Sequence, residues 1–283
     1  MLSSFDGLGL VLAWTRTRGS NMVLQLIFGL SMTAVSDYLN FCMNILVRVL
    51  MAIDEAKVGI PRDETIHEFM GAVQSHHPSL DMCWCTMDGL KLTIECSGDD
   101  DEQNMFYNGW TCDHYVSAVL VFCPDGSIAI CCYNVPGSIH DSAIAGMGEI
   151  YDKLEQVYNR TGGCCTVDSA FARHNHPFLI KSGNESVGMT LEEMTIRREA
   201  TSMRQAAEWG MRSFQASFPR LKDRLPFEHF GQRKVIMTMI ILLYNLRTKK
   251  IGINQIRNVY MPSLNENVND IYILADAIGN NWE

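Results

Sequence analysis

Asp88 is a charged residue where the surrounding pattern calls for an apolar one. It belongs to the stretch "CWCTMDGLKLTIEC", in which Leu90, Leu92, Ile94 and Cys96 alternate with polar residues as in a half-buried β-strand. Asp88 has the parity of the leucines, so the pattern predicts a carboxylate on the apolar side. Such a charge is costly unless it neutralises, pairs or binds a metal ion.

Two further carboxylates complete the candidate chemistry. Asp168 ends the buried run "GGCCTVD", and Glu208 borders the apolar stripe of the helical stretch "SMRQAAEWGMRSFQASF". Carboxylates suit hard divalent cations such as Mg²⁺ and Mn²⁺. Two such ions about 4 Å apart can activate a water or a 3′-hydroxyl and stabilise the leaving oxygen of a phosphodiester. The three residues therefore predict a two-metal site.

The order of elements predicts how these residues meet. The strand of Asp88 is followed by "YVSAVLVFC" and "SIAICCYNV", with "PDG" as the tight turn between them. A helix from about Asp141 to Tyr158, a strand from Cys164 to Val167 and a long helix come next. This is the order of an α/β, RNase H-like fold: a mixed sheet with flanking helices. Because its first strand lies beside its fourth, we expect Asp88 and Asp168 to meet the carboxylate of the following helix.

Two other acidic residues lie close to these motifs. Either Asp141 or Ser142, in "PGSIHDS", can cap the helix that follows. Asp141 is interpreted as a cap, and a metal or substrate role for it is the less favoured interpretation. Glu199 precedes Glu208 by nine residues. It is the candidate for the third carboxylate of the site if Glu208 does not fill that position.

Several motifs in this order resemble the DDE superfamily endonuclease domain of Harbinger-type transposases. They are "MDGLKL", "FYNGWTCDHYVSAVLVFCPDG", "NVPGSIHDS", "VDSAF", "PFLIKS", "ATSMRQAAEWGMRSFQASFPRLKDRL" and "LYNLRT". The resemblance covers roughly residues 82–250. It implies that Asp88, Asp168 and Glu208 form the catalytic, metal-binding triad of a DNA nuclease that uses Mg²⁺ or Mn²⁺. It also implies a location in the nucleus.

Charge is unevenly distributed along the chain. The net charge is −9, yet residues 197–257 contain 13 Lys and Arg against 4 Asp and Glu. A local basic surface on an acidic protein is compatible with phosphate contacts. The residues that flank Glu208 or follow its helix are the predicted DNA contacts: Arg204, Arg212, Arg220, Lys222 and Arg224.

The sequence divides into four parts. We predict a helical region at 1–52, a connector at 53–81, the nuclease-like domain at 82–258 and a tail at 259–283. The first part resembles a helix-turn-helix, with a helix ending near Phe28, a turn at Gly29 and Ser31 or Thr33 as the next N-cap. Plain helical packing is as good an interpretation as DNA recognition, because the second helix offers nothing basic before Arg48.

Other functions remain as alternatives. One is a domesticated, non-catalytic DNA-binding or scaffold protein, and another is an RNase H-like nuclease acting on RNA or hybrid duplexes. A DNA-binding partner protein or a homo-oligomer is possible. The ten cysteines include no CxxC pair and are expected to be reduced. A zinc site at "CWC" or "SHHP" is disfavoured, because neither has the usual spacing of zinc ligands. The longest uncharged apolar run, "VIMTMIILLYNL", is too short to span a bilayer, so we expect no membrane role.

Overall fold

The computed structural model describes residues 2–171, 176–183, 188–227, 229–252 and 254–261 of the 283-residue chain. Its helices are α1 (Ser4–Arg16), α2 (Met22–Phe28), α3 (Met32–Ala52), α4 (Asp63–Gln74), α5 (Asp100–Phe106), α6 (Asp141–Met147), α7 (Ile150–Thr161), α8 (Leu191–Ser217), α9 (Phe230–Ile251) and α10 (Gln255–Tyr260). Its strands are β1 (Cys83–Thr93), β2 (Tyr107–Asn108), β3 (Asp113–Phe122), β4 (Ile128–Pro136), β5 (Cys164–Val167) and β6 (Leu179–Lys181).

One mixed sheet organises the domain. Its strands run in the order β2-β3-β1-β5-β6, and β4 also pairs with β3. The pairs β1–β3 and β3–β4 are antiparallel, whereas β1–β5 and β5–β6 are parallel. Helices flank both faces. The fold is therefore the predicted RNase H-like α/β fold, with the first long strand beside the fourth.

The face predicted for Asp88 is confirmed. Pairing between β1 and β3 is unbroken from Thr86 to Thr93, so the alternation of side chains holds through Gly89. Leu90 and Leu92 enter the core that also contains buried residues of α8. Cys96, expected on the same face, is exposed, because the chain leaves β3 after Ile94 and pairs with Leu225 instead.

The stretch after β4 differs from the expected single helix over 141–158. It forms two helices, α6 and α7, separated at Gly148 and Glu149. Glu149 has the left-handed φ of 55°, which interrupts a right-handed helix. A Cβ at Gly148 would lie 2.4 Å from the Cβ of Cys132 on β4, so this turn requires glycine for close packing.

The turn between α2 and α3 is built as predicted. Helix α2 ends at Phe28, and Gly29 adopts a left-handed φ of 63° as the C-cap. Ser31 is the N-cap of α3, with its side chain accepting a hydrogen bond from the Ala34 amide. Asn40 on α3 accepts a hydrogen bond from Gln232 on α9. DNA recognition by this region stays a prediction.

The N-terminal helices share a core with the nuclease-like part. Buried residues of α1 and α3, such as Leu10 and Leu39, belong to the same cluster as those of α8 and α9. Of the described helices, α3 alone has the length and hydropathy to cross a bilayer, judged by those two properties only. Outward apolar residues, including Phe41 and Ile45, line a groove of about 460 Å³ between α1 and α3.

The segment 53–81 contains α4, which packs on β1 and α7. Its Ser79 amide donates a hydrogen bond to Glu199 on α8. The predicted tail, 259–283, lies outside the described residues from 262 onward.

Candidate active site

Asp88 and Asp168 lie side by side on neighbouring parallel strands. The β1–β5 register pairs Met87 with Val167, so Asp88 and Asp168 are the next residue on each chain. Met87 and Val167 both pack in the core on the α6 and α7 side of the sheet. Since successive side chains alternate, the two carboxylates emerge on the opposite side, where α8 lies. The predicted adjacency of their strands is confirmed.

Glu208 joins Asp88 through an arginine. Arg204, one turn before Glu208 on α8, places Nη2 at 3.0 Å from Glu208 Oε1 and Nη1 at 3.5 Å from Asp88 Oδ2. The helix therefore presents Glu208 to the same side of the sheet as Asp88. Asp88 and Glu208 thus lie in one region, and Asp168 follows the strand beside that of Asp88. A metal site shared by all three carboxylates stays a prediction.

Asp141 approaches Asp88 from the α6 side of the sheet, and its interpretation as a helix cap is wrong. The N-cap of α6 is His140, whose Nδ1 accepts a hydrogen bond from the Ser142 amide. Asp141 instead lies against β1, where a Cβ on Gly89 would come within 2.4 Å of its Oδ2. The absence of a side chain at position 89 lets the Asp141 carboxylate reach the strand beside Asp88.

The carboxylates of this cluster are held at an electrostatic cost. Burial raises the pKa of Asp88; the Gly89 amide and Arg204 lower it, and Asp168 and Asp141 raise it further. Burial also raises the pKa of Asp141, opposed by Lys91 and His140, with Asp168 adding to the rise. The like-charge effects show that Asp88, Asp141 and Asp168 are close enough to interact. A nearby cation would relieve them.

The donors fit a hard divalent cation by their chemistry, because they are all carboxylate oxygens. Within the described residues, however, no three or more His, Cys, Asp or Glu side chains are arranged to hold a metal ion. The Arg204 guanidinium lies between Asp88 and Glu208. The residues that could hold a metal are Asp88, Asp168 and Glu208, together with Asp141, for which a metal role was the less favoured interpretation.

Glu199 is engaged elsewhere. Its Oε2 accepts a hydrogen bond of 2.7 Å from the Ser79 amide in the connector. Nine residues correspond to two and a half helical turns, so Glu199 and Glu208 point to opposite sides of α8. The structure gives Glu199 a role in fixing the connector.

The basic residues near Glu208 have unequal surroundings. Arg212, Lys222 and Arg224 are exposed. Arg220 instead donates from Nη1 to the Gly19 carbonyl at 2.5 Å and lies 4.9 Å from the centre of the Trp14 ring. It also pairs with Asp223 at 3.6 Å. Arg233, from the same basic stretch, is buried.

The residues considered for zinc have other surroundings. His77 is hydrogen-bonded to the Tyr260 hydroxyl at 3.0 Å, and His76 contacts the Ala72 carbonyl. All ten cysteines are free thiols, and Cys83 and Cys85 are buried in β1.

Gly89 is the site residue that sequence reasoning missed, and Asp141 was assigned first to the wrong role, that of a helix cap. The signal available was the glycine directly after a strand carboxylate, a position where glycine often marks the close approach of another group.

Comparison with known proteins gives one match. Neither the curated proteins nor the solved structures provided a match to the chain. The family described as DDE superfamily endonuclease matches residues 87–245, which is more than half of the chain and contains Asp88, Asp141, Asp168 and Glu208. The chain therefore belongs to the DDE superfamily endonucleases.

Proposed function

We propose that this chain is a divalent-metal-dependent endonuclease that cleaves phosphodiester bonds in DNA, with Asp88, Asp168 and Glu208 holding Mg²⁺ or Mn²⁺ in a two-metal site. The observation that supports the proposal is the adjacency of Asp88 and Asp168 on the paired strands β1 and β5, with Glu208 on α8 linked to Asp88 through Arg204. Family membership makes DNA the first substrate to test. A Harbinger-type transposase that acts in the nucleus is the finer form of this proposal.

The protein supplies position and charge. When bound, the metal ions would activate the attacking water or 3′-hydroxyl and stabilise charge on the leaving oxygen. Asp88 and Asp168 are fixed by the strand pairing, and their Oδ1 atoms accept hydrogen bonds from the following amides of Gly89 and Ser169. Carboxylates that are already fixed in this way would lose little conformational freedom when a metal ion binds.

The DNA surface that we propose consists of the exposed residues Arg212, Lys222 and Arg224. Arg204 is left out of it, because its guanidinium is paired with Asp88 and Glu208. Exposed guanidinium and ammonium groups near the carboxylates would hold phosphates in register without reading sequence. Arg220 is left out of this surface, because its donors and its flat face are engaged by Gly19, Asp223 and Trp14.

The central test is nicking of supercoiled plasmid by the wild type and by Asp168→Asn, with Mg²⁺ or Mn²⁺. Asp168→Asn keeps the shape of the side chain but removes one charged metal ligand. We expect it to nick at least about a thousandfold more slowly. Asp152→Asn, which changes an exposed carboxylate on α7, should nick like the wild type. Equal nicking by Asp168→Asn and the wild type would contradict the proposal.

A thermal measurement separates folding from catalysis. Removing one of several repelling carboxylates should leave Asp168→Asn at least as stable as the wild type without metal. Mn²⁺ should raise the melting temperature of the wild type, because it binds the folded state, and should raise that of Asp168→Asn less.

A non-catalytic DNA-binding or scaffold protein is the second candidate. It is favoured by the ion pairs of Arg204, which satisfy two of the carboxylates without any metal. A wild type that binds DNA but neither nicks it nor responds to Mn²⁺ would establish this candidate. Parallel assays on matched DNA, RNA and hybrid duplexes test the remaining alternative, an RNase H-like activity on RNA or hybrids.

A further inference from the structure

The side chain of Arg204 lies at the centre of the candidate site. It pairs with Asp88 on the sheet and with Glu208 on its own helix, at 3.5 Å and 3.0 Å. The three side chains are 25%, 21% and 38% exposed, so the pairs are partly shielded from water and remain accessible. A guanidinium group therefore places positive charge where the proposed function requires a metal ion.

We propose that Arg204 is the internal counter-ion of the metal-free site and that a divalent cation must displace it in order to bind. This inference rests on the proposed function, since it concerns the same carboxylates. Its new element is a competition between a side chain of the protein and the metal for Asp88 and Glu208.

Geometry supports competition. A planar guanidinium can donate from two nitrogens to two separate carboxylates, as Arg204 does through Nη1 and Nη2. The oxygens that accept these hydrogen bonds are those that a cation would coordinate, and a positively charged donor cannot remain beside it at the same oxygens.

Electrostatics supports it as well. Asp88 is crowded by Asp168 and Asp141, and Arg204 is a cation that opposes this repulsion. Loss of Arg204 would leave the acidic cluster without that compensation, so the metal-free protein would be less stable. The same loss would strengthen attraction for an added cation, because the positive charge that repels it and blocks its ligands is gone.

A purely structural role predicts the opposite result. If Arg204 only held Asp88 and Glu208 in the geometry that a metal requires, its removal would loosen the ligands and weaken metal binding. Metal affinity therefore distinguishes a competing counter-ion from a positioning residue.

The experiment measures Mn²⁺ affinity by isothermal titration calorimetry and the melting temperature in EDTA, on the full chain. We expect Arg204→Gln to melt at a lower temperature than the wild type and to bind Mn²⁺ about fivefold to tenfold more tightly. Arg204→Lys keeps the charge but lacks the planar fork that bridges two carboxylates, so its affinity should lie between the two. The control Lys234→Gln removes an exposed charge on α9 and should match the wild type in both measurements.

The outcomes separate this inference from the function on which it rests. Unchanged or weaker Mn²⁺ binding by Arg204→Gln overturns the counter-ion role, whatever the nicking activity of the wild type. If Arg204→Gln fails to fold, Arg204→Lys decides, and affinity no tighter than that of the wild type overturns the inference. A wild type that binds Mn²⁺ but does not nick DNA removes the catalytic proposal and leaves the competition standing. A wild type that binds no Mn²⁺ overturns both.

Discussion

Arg204 and Arg220 are two arginines of the same basic stretch with different surroundings. Arg204 contacts two carboxylates, Asp88 and Glu208, at the candidate active site. Arg220 contacts the carboxylate of its neighbour Asp223, and its contacts with the Gly19 carbonyl and the Trp14 ring link the segment after α8 to the N-terminal part of the chain. Under the proposed counter-ion role, the first set of partners would exchange the guanidinium for a metal ion, whereas the Gly19 carbonyl and the Trp14 ring would keep theirs.

Residue type and spacing did not separate these two roles. Both arginines were predicted as phosphate contacts. The Gly19 carbonyl and the face of the Trp14 ring hold the Arg220 guanidinium in place. Neither group carries a negative charge that would attract a metal ion instead. The active-site cluster should therefore control activity and metal affinity, and the cluster around Arg220 should control stability.

Within this comparison the largest effect is expected from Gly89→Ala, which tests whether the active-site cluster depends on the close approach of Asp141. A Cβ at position 89 would meet the Asp141 carboxylate at 2.4 Å and force it away from Asp88. We expect nicking to fall by about a hundredfold, the scale of loss when groups around a metal site are displaced. The control Gly146→Ala lies on α6 and has open space around the added Cβ. Equal activity of Gly89→Ala and the wild type would remove Asp141 from the site.

The next effect concerns stability. Arg220→Ala removes a charged hydrogen bond to the Gly19 carbonyl and the stacking on Trp14, so unfolding should cost about 2 kcal/mol less. Denaturant unfolding measures this loss. Arg224→Ala, at an exposed arginine nearby, should change stability by less than about 0.5 kcal/mol. If both variants unfold like the wild type, the comparison between the two arginines is wrong.

Asp223 gives the same cluster a pH dependence. It accepts hydrogen bonds from Arg18 Nε at 3.0 Å and from the Gly19 amide at 2.8 Å. Partial burial tends to raise the pKa of Asp223, but the Gly19 amide, Arg18 and Arg220 outweigh it, and the pKa falls below its ordinary 3.8. A lowered folded-state pKa stabilises the protein above the unfolded value, and this stability is lost as the pH falls through the folded value.

We therefore expect Asp223→Asn to be about 1 kcal/mol less stable than the wild type at pH 7. The difference should shrink as the pH falls below 3.8, because the wild-type carboxyl then becomes neutral too. Denaturant unfolding at several pH values tests this. If the stability difference between the variant and the wild type stays constant down to acid pH, the charge of Asp223 does not stabilise its contacts with Arg18 and Gly19.

Local patterns predicted the fold well. The alternation through β1 fixed the face of Asp88, and Gly29 with Ser31 marked the turn between α2 and α3, because these signals depend only on neighbouring residues. The roles of Asp141 and Arg220 depend on partners distant in sequence. Asp141 reaches β1 because Gly89 lacks a side chain, and Arg220 reaches back 201 residues to Gly19. Neither partner leaves a periodic signal in the sequence.

The smallest effect per residue is expected on DNA binding, where the exposed basic residues and Arg220 should behave differently. Arg212, Lys222 and Arg224 are exposed, and each phosphate contact that is lost should reduce the slope of log affinity against log salt by about 0.9. Replacing all three with Gln should weaken binding to every DNA sequence alike, because phosphate contacts carry no sequence information. Arg220→Ala should leave the slope unchanged, since its donors are engaged within the protein. Fluorescence anisotropy with short duplexes at several salt concentrations measures both slopes. A slope that drops for Arg220→Ala but not for the triple variant would return Arg220 to the DNA surface and remove the exposed residues from it.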